Sequence, residues 1–267
     1  MPKDTGTGKK TPLSSLCREV SFNIPKGWEE LTAEQLRFCL RLLWQYNGYA
    51  DWQQRVQTAA FVHFAGIEVV RRTDQGWLCR ERRHGTAFLL DPALLPSLLQ
   101  HVEWLAETGR MTVRIEQVGG YKAVDFELQE LKFGEYLKAE NDFQSYLQSK
   151  NESCLVKLAR ILYLVPDGCH VPELRDEILM GVFLWFNAAK QLLGEQFPNF
   201  LKPASGRQED ITQETLIESM RVQIRLLTKG DVTKQKYILE ETDTWTALAE
   251  LDAQAKEAEE IKSKYGK

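Results

Sequence analysis

The sequence predicts an α+β protein that is predominantly α-helical, with a small antiparallel sheet in the N-terminal half and a helical C-terminal half. Two observations support this fold class. Between residues 67 and 90, three short runs of β-prone residues alternate with turn residues. After Leu131, apolar residues recur every three or four positions through most of the remaining chain, which is the spacing of amphipathic helices.

Length and composition are those of an ordinary folded protein. The chain has 267 residues, of which 43% are hydrophobic and 27% are charged, so it has enough apolar side chains to bury a core. Its 34 basic and 38 acidic residues give a formal net charge of −4, which supplies no overall field for attracting nucleic acid or an anionic membrane. A nucleic-acid role would therefore require a local basic patch.

The cysteines and the N-terminus indicate a cytoplasmic protein. Five cysteines are scattered without a Cys-x-x-Cys pair, which favours reduced thiols over a disulfide framework or a zinc site. No apolar segment follows the lysines of residues 1–11, so we expect no secretory signal. The most apolar stretch, residues 178–185, is too short to cross a bilayer, and no membrane contact is expected.

Residues 1–20 are predicted to form a flexible tail, and residues 21–130 an α+β region. Thr32 and Gln35 have the spacing of a capping box, which predicts a helix that continues to about Tyr46. Asp51 is the expected N-cap of a second helix, which runs over residues 52–65.

The β-prone part of this region predicts a meander followed by a hairpin. Turn residues at 73–76 and 83–85 separate the three runs of the meander. Asp91 and Pro92 predict a helix that extends to about Thr108. The pair Gly119-Gly120 then joins two further predicted strands, at residues 111–118 and 121–128.

The remainder of the chain is predicted to be helical in two parts. The first part, residues 131–200, contains helices at 133–147, 152–165 and 172–193. A linker is predicted at residues 201–210, where Pro203, Ser205 and Gly206 occur. The C-terminal part, residues 211–267, contains a helix that Asp210 caps and that ends at Thr228, and a last helix at 244–264.

No sequence pattern predicts a cofactor, a metal or a catalytic group. Residues 6–11 contain glycines and lysines, but they lack the spacing and the preceding strand of a phosphate-binding loop. The four histidines are dispersed, and Cys169-His170 lies in a predicted loop. We expect a protein that is not an enzyme, although an enzyme whose site residues lie far apart in sequence stays an open alternative.

Residues 71–83 of the predicted meander are locally basic, with five arginines against Asp74 and Glu81, an excess of three positive charges. Two interpretations are open. With Trp77 between them, the arginines are candidates for contacting the phosphates and bases of nucleic acid. Alternatively, charged side chains at the edge of a small sheet prevent it from pairing with other sheets. The candidate residues are Arg71, Arg72, Arg80, Arg82 and Arg83.

The last predicted helix has a narrow apolar stripe among acidic residues, which favours contact with a protein partner. The candidate contact residues are Trp245, Leu248 and Leu251. The alternative is that the same stripe packs against the rest of this chain.

Short segments of the sequence are similar to tailed-phage proteins. Residues 131–137 (LKFGEYL) resemble a pattern of phage assembly proteins, and residues 24–32 are similar to a prophage sequence. Residues 227–233 and 245–251 resemble the C-terminal part of prophage-encoded tail assembly chaperones. This resemblance implies a non-enzymatic helical protein of the bacterial host cytoplasm. Such a protein binds the long tape measure protein, or another tail protein, and keeps it soluble during tail assembly.

Overall fold

The computed structural model describes residues 22–201 and 212–265. The predicted tail, the residue 6–11 segment and most of the predicted linker, including Asp210, lie outside these ranges. The fold class predicted from the sequence is confirmed. Helices dominate, and a three-stranded antiparallel sheet lies in the N-terminal half.

Two helices open the described part of the chain, α1 (Ala33–Tyr46) and α2 (Trp52–Phe64). The predicted capping box is present, because Thr32 Oγ1 accepts from the Gln35 backbone N–H and Gln35 Oε1 accepts from the Thr32 N–H. Asp51 precedes α2 as predicted, but its carboxylate makes no capping hydrogen bond and pairs with Arg55 at 2.8 Å.

The predicted meander is confirmed as β1 (Ile67–Thr73), β2 (Gly76–Glu81) and β3 (Ala87–Leu90), which pair in that order. Cys79 is buried at the centre, opposite Val69 on β1 and Phe88 on β3. A bulge between Val69 and Arg71 shifts the register of β1, an edge strand whose residues are mostly exposed.

The prediction of one continuous helix over residues 91–108 is wrong. Asp91 Oδ1 accepts from the Ala93 N–H as an N-cap does, but only α3 (Leu95–Leu99) is α-helical, and 3₁₀ turns flank it. Val102 has φ −125° and ψ 16°, which interrupts the helical backbone. The bend lets Val102 and Leu105 both reach the core.

The long hairpin predicted for residues 111–128 is also wrong in its extent. Only β4 (Gln117–Val118) and β5 (Tyr121–Lys122) pair across the glycine turn. Beyond them the Ala123 N–H still donates to the Glu116 carbonyl, but the next amide, that of Val124, donates instead to the carbonyl of Leu162 at the end of the helix Glu152–Leu162. Because residues of helices form hydrogen bonds with these backbone groups, the segment does not need a partner strand.

Three helices form the centre of the fold: α4 (Phe133–Ser149), α5 (Glu152–Leu162) and α6 (Glu177–Gln196). The α6 helix is buried on most of its surface and packs against α1 and α5. It begins five residues later than predicted, because Asp176 has φ 41° and turns the chain just before the helix.

Three more helices lie in the second described range, residues 212–265: α7 (Gln213–Thr228), α8 (Gln235–Glu240) and α9 (Thr244–Tyr265). Thr212, rather than the predicted Asp210, caps α7, because its hydroxyl accepts from the Thr215 N–H at 3.2 Å. The short α8 was not predicted. One hydrophobic cluster joins buried side chains from α1 through to α9.

Candidate functional site

A short seam joins the C-terminal helices to the start of α4. The backbone N–H of Thr244 donates to the Leu131 carbonyl at 2.9 Å, and the Phe133 N–H donates to the Thr242 carbonyl at 2.9 Å. The buried Thr244 hydroxyl also donates to the Leu131 carbonyl, at 2.7 Å. Residues 131–133 and 242–244 therefore pair like two short antiparallel strands.

Residues 131–133 of the seam begin the segment 131–137, which is similar to phage proteins, and residues 242–244 lie between the two similar C-terminal segments, 227–233 and 245–251. Within residues 131–137, the glycine at position 134 has a structural reason. A Cβ atom at Gly134 would lie 2.6 Å from the carbonyl oxygen of Leu239 in α8, closer than real Cβ atoms approach other atoms. Since backbone cannot yield as a flexible side chain does, only glycine lets α8 pack this closely on α4.

Close packing of α8 on α4 leaves an open groove of about 1030 Å³ beside it, which we call the helical groove. It lies between α4 and α5 on one side and α7 and α8 on the other. Its apolar lining is contributed by both sides: Leu137, Ile161, Leu164 and Val165 on the first, Met220, Ile224 and Leu239 on the second.

Charged side chains of both signs border the apolar strip. Lys138 forms an ion pair with Glu135 at 2.7 Å, and burial raises the pKa of the Asp142 carboxyl. Arg160 donates to the carbonyls of Pro166 and Cys169, each at 2.6 Å, and thereby fixes the loop that forms one rim. The groove thus presents an apolar strip with a mixed-charge border, which suits an amphipathic helix.

Leu164 lies at this rim and has both an unusual backbone conformation and an exposed side chain. Its backbone has φ 49°, in the left-handed region that favours glycine, and 61% of its surface is exposed. A leucine there bears the cost of a left-handed backbone and of an unburied apolar side chain. A partner that covered Leu164 would recover the hydrophobic part of that cost.

The three residues predicted to contact a partner lie against the chain's own core. Leu248 and Leu251 are 0% and 1% exposed. Trp245 is half-buried; its indole N–H donates to the Glu127 carbonyl at 2.7 Å, and its ring packs edge-to-face on Phe197. In this structure the apolar stripe of α9 therefore packs within the chain, which was the alternative interpretation of the sequence.

Several apolar side chains of the C-terminal part are exposed, and those on α7, α8 and the turn between them were not predicted from the sequence. They are Ile217, Val222, Leu226, Val232 and Tyr237; Ile261, near the end of α9, is exposed as well. The apolar residues of α7 spread over more of its circumference than one packing face requires, which was the available signal.

The five candidate arginines are all exposed but do not share one surface. The strand register places Arg71 and Arg80 on the outer face of the sheet and Arg72 on the opposite face, while Arg82 and Arg83 lie beyond the end of β2. None of the five forms an ion pair within residues 22–201 and 212–265. Trp77 is half-buried and packs against the core.

Neither a metal-binding cluster nor a membrane-spanning helix is found in the described ranges. No group of three or more His, Cys, Asp or Glu side chains there is arranged to hold a metal ion. Among the helices of those same ranges, none is both long and apolar enough to traverse a bilayer. Comparisons of the chain with protein-family models, with curated proteins and with solved structures found no match.

Proposed function

We propose that this chain is a non-enzymatic factor of phage or prophage tail morphogenesis that acts in the host cytoplasm. It binds a long helical partner, such as a tape measure protein, in the helical groove. The observation that carries the proposal is the groove itself: an open apolar strip that ends at the exposed, left-handed Leu164. Added support comes from Gly134, which lies in a segment similar to phage proteins and permits the close packing beside the groove.

The physical role of such binding is to shield apolar surface. A long amphipathic helix without its assembly partners exposes a stripe of apolar side chains and aggregates through it. In the groove, the stripe lies on Ile161 and Met220 from opposite walls, while charged residues of the partner meet Lys138 and Glu135 at the border. The mixed border favours a helix whose flanks carry both signs of charge.

Substitution of Leu164 by aspartate is expected to weaken partner binding by about tenfold or more, because it places a charge where the partner buries apolar surface. The chain is co-expressed with a tape measure protein from a tailed phage, and the fraction of that protein remaining soluble is measured after ultracentrifugation. The affinity is then measured by titrating purified chain against a labelled helical segment of the partner.

The matched control is Leu94→Asp. Leu94 is also an exposed leucine, at 53%, but it lies in the N-terminal half and does not line the groove. We expect Leu94→Asp to behave as wild type. The proposal is wrong if wild-type chain leaves the partner insoluble, or if both substitutions reduce binding equally.

Contact with nucleic acid is the alternative function, and the one observation that supports it is that the five exposed arginines form no ion pair with any residue that the structure describes. If they bind phosphates, affinity for a DNA duplex falls steeply with salt, with a log–log slope of about −0.9 for each phosphate neutralised. The double substitution Arg71→Glu and Arg80→Glu then abolishes binding. Because the arginines are spread over both faces of the sheet, we expect no measurable DNA binding at physiological salt. A filter-binding titration across salt concentrations checks this.

A further inference from the structure

A second, smaller cavity lies away from the helical groove, between the C-terminal end of α1, the start of α2, the end of α4 and α6. Its volume is about 250 Å³. We call it the aromatic pocket, since four aromatic side chains line it together with buried aliphatic ones. The aromatic residues are Trp44, Trp52, Tyr146 and Phe183; Leu155 and Met180 are among the aliphatic ones.

The size and lining of the aromatic pocket suit a flat apolar group. An apolar protein cavity of about 150 Å³ accommodates benzene, so this larger space accommodates a two-ring compound. Tyr146 and Phe183 are already packed edge-to-face with ring centroids 5.5 Å apart. A third ring inserted beside them gains the same favourable aromatic contacts.

The polar side chains of the aromatic pocket are Asn47, Thr108 and Lys150. Lys150 ends α4 in the left-handed region, with φ 55°, and its ammonium lies 5.6 Å from the centroid of the Tyr146 ring. In the part of the chain that the structure describes, Lys150 forms no ion pair. The side chains that line the pocket therefore supply one positive charge and no negative one.

An acidic residue is close by but outside the pocket. Burial raises the pKa of the Tyr146 hydroxyl, and the nearby Glu152 raises it further. Glu152 is exposed and does not line the cavity. Solvent therefore screens the Glu152 carboxylate from an anionic group beside Lys150.

We propose that the aromatic pocket binds a compact aromatic molecule that carries one anionic group, with the ring among Trp44, Trp52 and Phe183 and the anion beside Lys150. This site is independent of the proposed partner binding, because none of these residues lines the helical groove. It adds a small-molecule ligand to a chain whose proposed function is protein binding.

Three probes that share one ring test the proposal by isothermal titration calorimetry on the full chain. Indole-3-acetate is anionic, indole-3-acetamide is neutral and tryptamine is cationic. We expect indole-3-acetate to bind about two- to fivefold more tightly than indole-3-acetamide, which is the gain that a solvent-exposed charge pair provides. Tryptamine is expected to bind most weakly. Equal affinities, an order that favours tryptamine or no binding of any probe would overturn the proposal.

Two variants locate the site. Lys150→Gln is expected to remove the preference for the anion and to leave the affinity for the amide unchanged, whereas Lys262→Gln on α9 changes neither. Thr108→Phe places a ring at the pocket and is expected to abolish binding of all three probes. Its control, Thr86→Phe, adds the same ring at another half-buried position and keeps binding. Circular dichroism verifies that each variant is folded, and binding that survives Thr108→Phe in a folded protein contradicts the assignment.

Discussion

Replacement of Trp185 by alanine is expected to lower the free energy of unfolding by about 3–5 kcal/mol, the range seen when a large aromatic side chain is removed from a core. Trp185 lies in α6 and is 0% exposed. Its ring packs edge-to-face against Tyr163, and the Arg114 guanidinium lies 5.5 Å from the ring centroid. Its indole N–H donates to the Phe126 carbonyl at 3.1 Å, so alanine leaves both a cavity and an unpaired carbonyl.

Urea denaturation followed by circular dichroism measures this effect. Trp185→Phe is a milder change, because phenylalanine keeps one aromatic ring in the core while it loses the second ring of the indole and its hydrogen bond. We expect a smaller loss of about 1–3 kcal/mol for that variant. Tyr237→Ala, at a residue that is 65% exposed, should change stability by no more than about 0.5 kcal/mol. A loss below about 1 kcal/mol for Trp185→Ala would contradict the packing described for α6.

Substitution of Gly134 by alanine is expected to cost about 1–3 kcal/mol, although alanine ordinarily stabilises a helix relative to glycine. The added Cβ meets the Leu239 carbonyl at 2.6 Å, so α8 must move away from α4. That movement strains the seam, where Thr244 donates to Leu131. Hydrogen exchange at the Thr244 and Phe133 amides should therefore accelerate, while amides in α6 keep their protection.

Gly194 supplies the matched control, since it also lies inside a helix. Among the residues that the structure describes, the atom nearest to its added Cβ would be the Leu201 carbonyl oxygen, at 3.8 Å. Gly194→Ala should therefore be neutral or stabilise the protein by up to about 1 kcal/mol. The two glycine substitutions thus have opposite expected signs. A stabilising Gly134→Ala would show that α8 does not pack on α4 as described.

Local patterns in the sequence were sufficient to predict much of the fold. The capping box of Thr32 and Gln35 and the turns of the meander depend on residues only a few positions apart, and both are present. The hairpin predicted for residues 111–128 was wrong in extent, because helices distant in sequence satisfy its backbone. Leu162, which accepts from the Val124 N–H, lies well outside any local window.

The candidate site was less predictable for the same reason. The apolar stripe of Leu248 and Leu251 was visible in the sequence, but a stripe does not show whether it faces a partner or the same chain. The pairing of Thr244 with Leu131 joins residues 113 positions apart and has no periodic signature. Leu164 lies inside the helix predicted for residues 152–165, and no local pattern in the sequence indicates its left-handed backbone or its exposure.

The seam also sets an order of events during translation. Residues 131–133 leave the ribosome long before residues 242–244. The α4 side of the groove is therefore synthesised before the segment that pairs with it in the seam. Until that strand arrives, the Leu131 carbonyl and the Phe133 amide have no seam partner. A nascent chain therefore completes the seam, and with it the packing beside the groove, only after residues 242–244 have been synthesised.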